Sequence, residues 1–593
     1  MAGELSGYFV KQVGRNRGKP RIWLEHQELA TAGFKPGDRY EVRMKDGSVI
    51  LSANPDGSRV VSAKPARREG DAPVPVIDLN SEKLLALFAG MAAVRLVQFD
   101  GQIHLMPLAA ELRKKERTSR LLRKLENDEP LSVGSLSHGA GFMTHSLHEG
   151  MQRAGLSTRL AFANDIRPEL LQHASQRNDA WSPDTIPLAA PMQELAFDHA
   201  AMARLPRVEI AEAGIPCSGQ SKSGRAKLGL SVPEAHPEVG HLIVAALVII
   251  ARVNPAIVLL ECVPQFASSG SAAILRSQLR DLGYDTHETV LNGRDFNALE
   301  ARERWFMAAV TDGMHFDWEM LQYPEKRTTR LSDVLDDIPD DSPLWSEMAG
   351  LKAKQERDIA AGKGFLMQIF RPEDARIATL TKGYARVRST DPKIAHPTNP
   401  DLLRQLTPAE HSRIKQHPPR LIEGLANTIA HEVLGQSVVR DPIVAMGEAF
   451  GRSIYALASG EQAPSAAALF EAVADQIKST ASLTVSELRQ PLANVKYVGP
   501  ITVLELGSAI QDIGNGVGIV HRASAVQGAR LGELVTVQYP STRAAPTVKR
   551  HDTPAPDVSE PLRARLRVEA QATFDFAPEP ETSSPVQRAP RLG

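Results

Sequence analysis

The sequence has very little cysteine. Cys217 and Cys262 are the only two cysteines in 593 residues. Two thiols cannot form a disulfide framework, and they cannot alone supply a cysteine-rich zinc site. We therefore expect both thiols to be reduced, no metal site and a cytoplasmic setting.

An excess of either charge is also missing, as are long hydrophobic runs. Lysine and arginine number 69 and aspartate and glutamate 70, so any site for a polyanion must be a local patch. The most apolar run, 242–251, is too short to span a bilayer, and the first residues lack the apolar core of a signal peptide. The sequence predicts a soluble protein with no membrane partner.

The length exceeds what one hydrophobic core can organise, and roughly three to five folding units are expected. Shifts in composition divide the chain. We predict a small β domain at 1–64, a linker and basic helical segment at 65–130, an α/β domain at 131–454, a helical connector at 455–490, a second β domain at 491–542 and a disordered tail at 543–593.

The basic segment holds seven lysines and arginines between positions 113 and 124. Such a run can contact phosphates, or it can be the solvated face of a helix. The sequence leaves both interpretations open.

The α/β prediction depends on short apolar runs that alternate with helix-length segments. The runs are LSVGSL, RLAFAND, VEIAEAGIPC, AIVLLE and ERWFMAAV. Such continuous apolar runs are typical of buried parallel strands. Their alternation with helices predicts a doubly wound, Rossmann-like sheet. Ligands bind such sheets at the carboxyl ends of the strands, where the polar residues of these runs lie.

Two of these strand ends suggest a nucleoside-bearing cofactor. Gly139 and Gly141 form a Gly-x-Gly turn between a strand and a helix, where a ligand can approach the backbone, although a tight turn alone explains the glycines. Asp165 ends the next strand, where it can accept hydrogen bonds from a ribose or cap the following helix.

Two further strand ends suggest covalent chemistry. Cys217 follows Pro216 in a glycine-rich loop with basic residues behind it, a setting that favours a reactive thiolate over a structural cysteine. Glu261 ends a buried strand, where burial raises the pKa of its carboxyl group and lets it hold or donate a proton. Arg302 and Arg304 enter another apolar strand, either as an anion-holding pair or as surface residues.

Read in order, these motifs resemble the cytosine-5 DNA methyltransferase family over about 131–454. The resemblance implies that Cys217 adds to C6 of a flipped cytosine, that Glu261 partners N3, and that Arg302 and Arg304 anchor the pyrimidine and brace the loop. It implies S-adenosylmethionine as the cofactor, bound by Ser135, Gly139, Gly141, Asp165, Ile166, Pro216, Gln436, Ser437 and Val438.

The resemblance also implies double-stranded DNA as the partner and a target-recognition region inserted at about 311–400. Within that region, TLTKGYARVRS combines basic residues with glycine and tyrosine, which suits groove and phosphate contacts, although a solvated loop is the alternative. The expected DNA contacts are Lys222, Ser223, Arg225, Lys227, Lys382, Tyr384, Arg386 and Arg388.

Several positions depart from the family pattern, namely Phe142, Ala190, Gln220, Cys262 and Gln436. None removes a reacting group. They leave open a modified methyl donor or a non-catalytic DNA-binding relative. Because some members of the family methylate transfer RNA, an RNA cytosine-5 methyltransferase is a further alternative.

The flanking segments carry resemblances of their own. KPRIWLEHQELATAGFKPGDRYEVRMKDGSVIL resembles the SymE-like β domains, and KYVGPITVLELGSAIQDIGNGVGIVHRASA resembles the KfrB domain of plasmid-borne proteins. The KfrB resemblance suggests a mobile-element setting, and some relatives of the SymE-like domains bind nucleic acid. A partner endonuclease or a plasmid-maintenance protein is a candidate partner, and a monomer is the candidate oligomeric state.

Overall fold

The computed structural model describes residues 4–65, 72–89, 91–216, 232–364, 366–460, 487–489, 491, 495–505, 508–514, 517–522, 526, 529–539 and 546–551. It divides into two compact units, residues 1–461 and 462–593. Among the described helices, none is both long and apolar enough to cross a membrane.

The N-terminal β module fills residues 7–107. Its strands are β1 (Gly7–Gln12), β2 (Gly14–Asn16), β3 (Lys19–Glu25), β4 (Arg39–Lys45), β5 (Ser48–Ala53), β6 (Arg59–Val60), β7 (Ser62–Lys64), β8 (Val74–Leu79), β9 (Ala93–Phe99) and β10 (Gln102–Pro107). They form two sheets, in the orders β1-β9-β10-β5-β4-β6 and β2-β3-β8-β7. Short helices α1 (Gln27–Ala30) and α2 (Glu82–Leu85) lie between strands.

The predicted boundary at 64 is therefore wrong. Three strands, β8 to β10, lie in the stretch predicted to be a linker and basic helix. They complete the N-terminal sheets, and Val94, Leu96 and Ile103 are fully buried in the same core as Ile22. The apolar segment before the basic run is thus part of the first domain.

The basic run forms helix α3 (Ala109–Glu126), and most of its cations are bound by protein groups. Arg117 is fully buried, donates to Thr311 Oγ1 at 2.7 Å, and stacks 3.8 Å from the Tyr284 ring centroid. Arg120 and Lys124 each lie 2.7 Å from the buried Glu209 carboxylate. Neither sequence interpretation predicted these contacts, by which α3 binds the neighbouring domain, whereas Lys115 and Arg123 are exposed.

The central domain is built on a seven-stranded sheet of order β13-β12-β11-β14-β15-β17-β16. Only β17 is antiparallel to its neighbours. The bounds are β11 (Leu131–Leu136), β12 (Thr158–Asp165), β13 (Ile186–Ala189), β14 (Ile210–Gly214), β15 (Ile257–Cys262), β16 (Tyr284–Asn292) and β17 (Glu303–Thr311). The doubly wound, Rossmann-like prediction is confirmed.

Helices cover both faces of this sheet. One core contains apolar side chains of α6 (Met192–Phe197), α7 (His199–Arg204), α8 (Leu242–Val253) and α9 (Gly270–Asp281). The other core contains apolar side chains of α4 (Phe142–Arg153) and α5 (Pro168–Arg177), together with those of a C-terminal helix of this domain. Strand residues therefore alternate between two cores, which is why the sequence shows continuous apolar runs.

Residues beyond β17 are mostly irregular. A three-stranded sheet joins β18 (Gln368–Phe370), β19 (Pro392–Ala395) and β20 (Leu403–Arg404), with α10 (Ala349–Ala360) before it. The chain then returns to the central domain through α11 (Pro408–Ile414), α12 (Asn427–Gln436) and α13 (Arg440–Ser459). Helix α13 packs on the α4 side of the large sheet.

The second unit contains a six-stranded sheet of order β21-β24-β23-β22-β25-β26. Its strands are β21 (Glu487–Arg489), β22 (Lys496–Glu505), β23 (Ser508–Asp512), β24 (Val517–Arg522), β25 (Leu534–Gln538) and β26 (Thr547–Arg550). The β prediction for 491–542 is thus correct in kind, but the sheet also includes β26, which falls inside the predicted tail.

Candidate functional site

The turn after β11 is fixed by hydrogen bonds to the end of β12. His138 N donates to Asn164 O at 2.9 Å, and Gly139 N donates to Asp165 Oδ2 at 2.7 Å. Gly139 and Gly141 both have left-handed backbone, with φ of 58° and 77°. A Cβ at Gly141 would lie 2.3 Å from Asn178 Nδ2, whereas the corresponding space at Gly139 is open. The turn is therefore packed from below and accessible at Gly139.

Asp165 links this turn to the next one. Its Oδ1 accepts from Arg167 N at 3.0 Å, and the N-cap of α5 is Arg167 rather than Asp165. Each carboxylate oxygen keeps a second lone pair, so both can still accept from a hydroxyl. Ile166 is 69% exposed and offers an apolar surface beside them. This edge thus offers acceptor lone pairs beside an exposed apolar side chain, and the cofactor contacts of Asp165 and Ile166 stay predictions.

A polar cluster that the sequence did not reveal lies beneath the turn. Ser135, predicted to contact the cofactor, is fully buried there instead, with its Oγ 2.8 Å from His138 Nδ1. Thr144 Oγ1 donates to Glu212 Oε1 at 2.5 Å. Burial raises the pKa of Glu212 to about 7, against the hydrogen bonds from Ser135 and Thr144, and nearby Glu261 raises it further.

This pKa predicts a pH dependence of stability. The folded state holds the Glu212 proton from about pH 4.5 to 7, where the unfolded chain has released it, so the free energy of unfolding falls as pH rises through this window. A shift of this size corresponds to about 3 kcal/mol. Urea unfolding at pH 5 and pH 8 should show that Glu212→Gln removes this component; an unchanged pH dependence would contradict it.

The carboxyl ends of β14 and β15 lie side by side, with Glu261 at the end of β15. Gly214 is in register with Glu261, and Ile215 N donates to Glu261 O at 2.9 Å. Cys217 and the expected contacts Lys222, Ser223, Arg225 and Lys227 lie outside the described residues, and Pro216 is the last described residue before them.

Glu261 is buried and paired. Its Oε1 lies 2.7 Å from Arg304 Nε. Burial raises the pKa of Glu261, and the charges of Arg304, Arg302 and Lys415 oppose this effect. The carboxyl group can therefore carry a proton, and Arg304 orients it, a contact that the sequence did not predict.

Cys262, one of the departures from the family pattern, has a structural role. Its side chain is 1% exposed, and Sγ donates to the Ile215 carbonyl oxygen at 3.6 Å. The thiol thus holds the backbone two residues before Cys217.

Arg302 and Arg304 have separate partners. Arg302 is 4% exposed and donates to Gly435 O at 3.0 Å and to Leu380 O at 3.5 Å. Glu300 accepts from Leu380 N at 2.9 Å. The structure thus gives Arg302 a bracing role between two distant segments, and its predicted contact with the pyrimidine stays a prediction.

A buried lysine completes this cluster. Lys415 Nζ lies 2.9 Å from Glu300 Oε2, and both side chains are fully buried. Burial lowers the pKa of Lys415 to about 7, and Arg302 lowers it further, while Glu300 opposes both. Sequence reasoning missed both residues, because their partners come from separate segments.

The segment predicted to close the cofactor pocket follows α12. Gln436 is exposed, Ser437 Oγ donates to Leu434 O at 2.8 Å, and Val438 is buried in the core with α13. Of these three, Gln436 has the exposed side chain, and Val438 is a packing residue, contrary to its predicted contact with the cofactor.

Gly435 joins this segment to the target-recognition region. A Cβ there would lie 2.3 Å from Lys382 N and from the Thr381 carbonyl carbon. Because those atoms are backbone, we expect Gly435→Ala to destabilise the protein by about 1–3 kcal/mol. Thermal unfolding measures this, with Gly350→Ala as the control in open space. A melting temperature of Gly435→Ala equal to that of the wild type would contradict the expectation.

The predicted DNA contacts in the described part of the chain divide into two kinds. Lys382, Arg386 and Arg388 are exposed, and Arg388 also pairs with Asp391 at 3.1 Å. Tyr384, in contrast, is fully buried, because its hydroxyl donates to Pro392 O at 3.0 Å and accepts from Leu406 N at 2.9 Å. The prediction of a DNA contact for Tyr384 is wrong.

Comparison with known proteins identifies this arrangement. A model of the C-5 cytosine-specific DNA methylase family matches residues 131–452. The chain belongs to this family. The match covers the seven-stranded sheet, the strand ends with Glu261 and Arg304, and helices α11 and α12.

Two curated relatives share part of this family domain. Type II methyltransferase M1.ScrFI of Lactococcus lactis subsp. cremoris is 26% identical over 254 residues, which cover 41% of this chain and 62% of the relative. Type II methyltransferase M.NlaX of Neisseria lactamica is 28% identical over 256 residues, which cover 42% and 77%. This chain thus spans less than two thirds of the length of M1.ScrFI.

Among solved structures, S. pombe Dnmt2 methyltransferase is similar with a TM-score of 0.44 and 18% sequence identity, over 56% of this chain and 99% of that one.

Proposed function

We propose that the chain is a DNA (cytosine-5-)-methyltransferase that transfers a methyl group from S-adenosylmethionine to C5 of a flipped cytosine. One observation carries the proposal. The buried Glu261–Arg304 pair lies at the strand end in register with Gly214, three residues before Cys217, inside the domain that the family model matches.

The chemistry follows from these residues. The Cys217 thiolate adds to C6 of cytosine and forms an S–C6 bond, which makes C5 nucleophilic. Glu261, held by Arg304, supports this addition by sharing a proton with N3. After methyl transfer, loss of the C5 proton and expulsion of the thiolate restore the aromatic ring and the free enzyme.

The turn after β11 is the proposed cofactor site. S-adenosylmethionine, when bound, supplies the electrophilic methyl group. Asp165 would accept from its ribose, the open space at Gly139 admits a ligand next to the backbone, and Ile166 would cover an adenine face. Gln436 would close the pocket from the other side.

DNA is the proposed substrate because two relatives are Type II methyltransferases and the exposed Lys382, Arg386 and Arg388 suit phosphate or groove contacts. A base inside a duplex is out of reach of the thiolate, so the target must flip out. We propose a cytoplasmic enzyme that acts in restriction-modification or on mobile DNA.

Sequencing of methylated bases tests the proposal. DNA from a host without cytosine-5 methylation, expressing the chain, should carry 5-methylcytosine in one short sequence context. A parallel assay offers duplex DNA and transfer RNA in competition with labelled S-adenosylmethionine. Transfer to RNA alone would favour the RNA enzyme, and DNA binding without any transfer would favour a non-catalytic relative.

A further inference from the structure

The hydrogen bonds of the polar cluster beneath the turn have a defined donor-to-acceptor direction. Trp181 Nε1 donates to His138 Nε2 at 3.2 Å, so in the neutral ring the proton must be on Nδ1. Burial keeps this ring neutral, since it lowers the pKa of His138 to about 3. Nδ1 then donates to Ser135 Oγ at 2.8 Å. The Ser135 hydroxyl proton is left for Glu212.

Glu212 is thus the end point of two hydrogen-bond chains. One runs from Trp181 through His138 and Ser135, and the other comes directly from Thr144 Oγ1 at 2.5 Å. Both bring donors to its carboxyl group. Since His138 immediately precedes Gly139, this relay holds the turn from within.

The same carboxyl group neighbours the catalytic edge. Ser135 is in register with Glu212, and Gly214, two residues after Glu212, is in register with Glu261. Side chains at alternate positions share a face of the sheet, so the side chains of Ser135, Glu212 and Glu261 lie on one face. Ile210 and Leu259, on that face, pack in the core beneath α4.

We propose that Glu212 is a positioning residue for methyl transfer, which holds the cofactor turn through Ser135, Thr144 and His138 and responds to the charge on Glu261. This inference rests on the proposed function. Glu212 is not a catalytic residue, because it is buried beneath the turn and acts through the side chains above it.

The charged and titratable groups around Glu212 come from each neighbouring element. His138 comes from the turn and is neutral, and Glu261 comes from β15. Behind Glu261 lie Arg304, Arg302 and Lys415, whose charges favour its ionised form. The charge on Glu212 is therefore influenced mainly by burial, its two donors and Glu261.

The ionised form of Glu212 should favour the cofactor. The hydrogen bonds from Ser135 and Thr144 are stronger to an ionised carboxylate than to a protonated carboxyl group, whose hydroxyl oxygen is a much weaker acceptor. S-adenosylmethionine also carries a sulfonium cation, which favours a buried negative charge nearby. If the ionised form alone is competent, its fraction rises from about 0.1 at pH 6 to about 0.9 at pH 8, and affinity rises about tenfold.

Calorimetric titration of the full chain with S-adenosylmethionine at pH 6, 7 and 8 tests this inference without DNA. We expect the wild-type Kd to fall by up to about tenfold over this range and that of Glu212→Gln to change much less. Thr144→Val removes one donor to the carboxylate, so it should move the midpoint of the transition to higher pH.

Glu209→Gln is the matched control, since Glu209 is a buried carboxylate that directly precedes β14 and pairs with Arg120 and Lys124. It should keep the wild-type pH dependence even where stability is lost. If the Kd of both Glu212→Gln and Thr144→Val keeps the wild-type pH dependence, this inference is overturned and the proposed function is not. A wild-type chain that binds no S-adenosylmethionine at any pH would instead overturn the proposed function.

Discussion

Replacing Cys217 with alanine abolishes methyl transfer, with an expected loss of at least about 10³-fold in the rate from labelled S-adenosylmethionine. Without the thiolate no bond forms at C6, and C5 of cytosine stays a poor nucleophile. Cys217→Ser should be nearly as inactive, because a serine hydroxyl is ionised far less readily than a thiol at neutral pH.

Two measurements make this result specific. Binding of S-adenosylmethionine should persist in Cys217→Ala, because the turn at Gly139 and Gly141 belongs to another strand. The second cysteine supplies the matched control. Cys262→Ser keeps a donor for the Ile215 carbonyl oxygen, so methyl transfer should persist. Full activity in Cys217→Ala would contradict the covalent mechanism.

Glu261→Gln should lower the single-turnover rate about 10² to 10⁴-fold, the usual contribution of a positioned acid. Glutamine can still form a hydrogen bond to the cytosine ring, but it cannot give up or hold the proton. Folding should be affected less, because an amide of the same shape replaces the buried carboxyl group.

The pH profile tests the same group. An acid that must be protonated loses activity as pH rises through its pKa, which burial raises in Glu261. Arg304→Ala removes the nearest positive charge, so this alkaline limb should move to higher pH. Glu303→Gln, an exposed neighbour, is the control and should keep the wild-type profile. An identical profile in Arg304→Ala would show that Glu261 is not the titrating group.

The central strands could be predicted from sequence because they are buried on both faces. The strands β13 and β16 were missed, and they are the two edges of the sheet. Edge strands have fewer apolar neighbours, and the sequence of β16, YDTHETVLN, is mostly polar. Apolar runs therefore revealed the middle of the sheet and left its width undetermined.

The site shows the same division. Glu261 could be predicted because a carboxylate ends an apolar strand. Glu212 could not, since an acid inside VEIAEAG has no partner within its own segment. Tyr384 was misread for the opposite reason, because its basic sequence neighbours suggested DNA whereas its contacts are Pro392 and Leu406.

Helix α3 sets the N-terminal boundary of the family domain. The family match begins at residue 131, but Glu209 depends on Arg120 and Lys124 of α3 for its two cations. A fragment cut at Leu131 would leave that carboxylate buried with neither cation, a change that costs several kcal/mol. Leu108 is the single residue between β10 of the N-terminal β module and α3, so no flexible linker separates the β module from this helix. A fragment that keeps both cations on an intact α3 therefore starts at Ala109 or earlier.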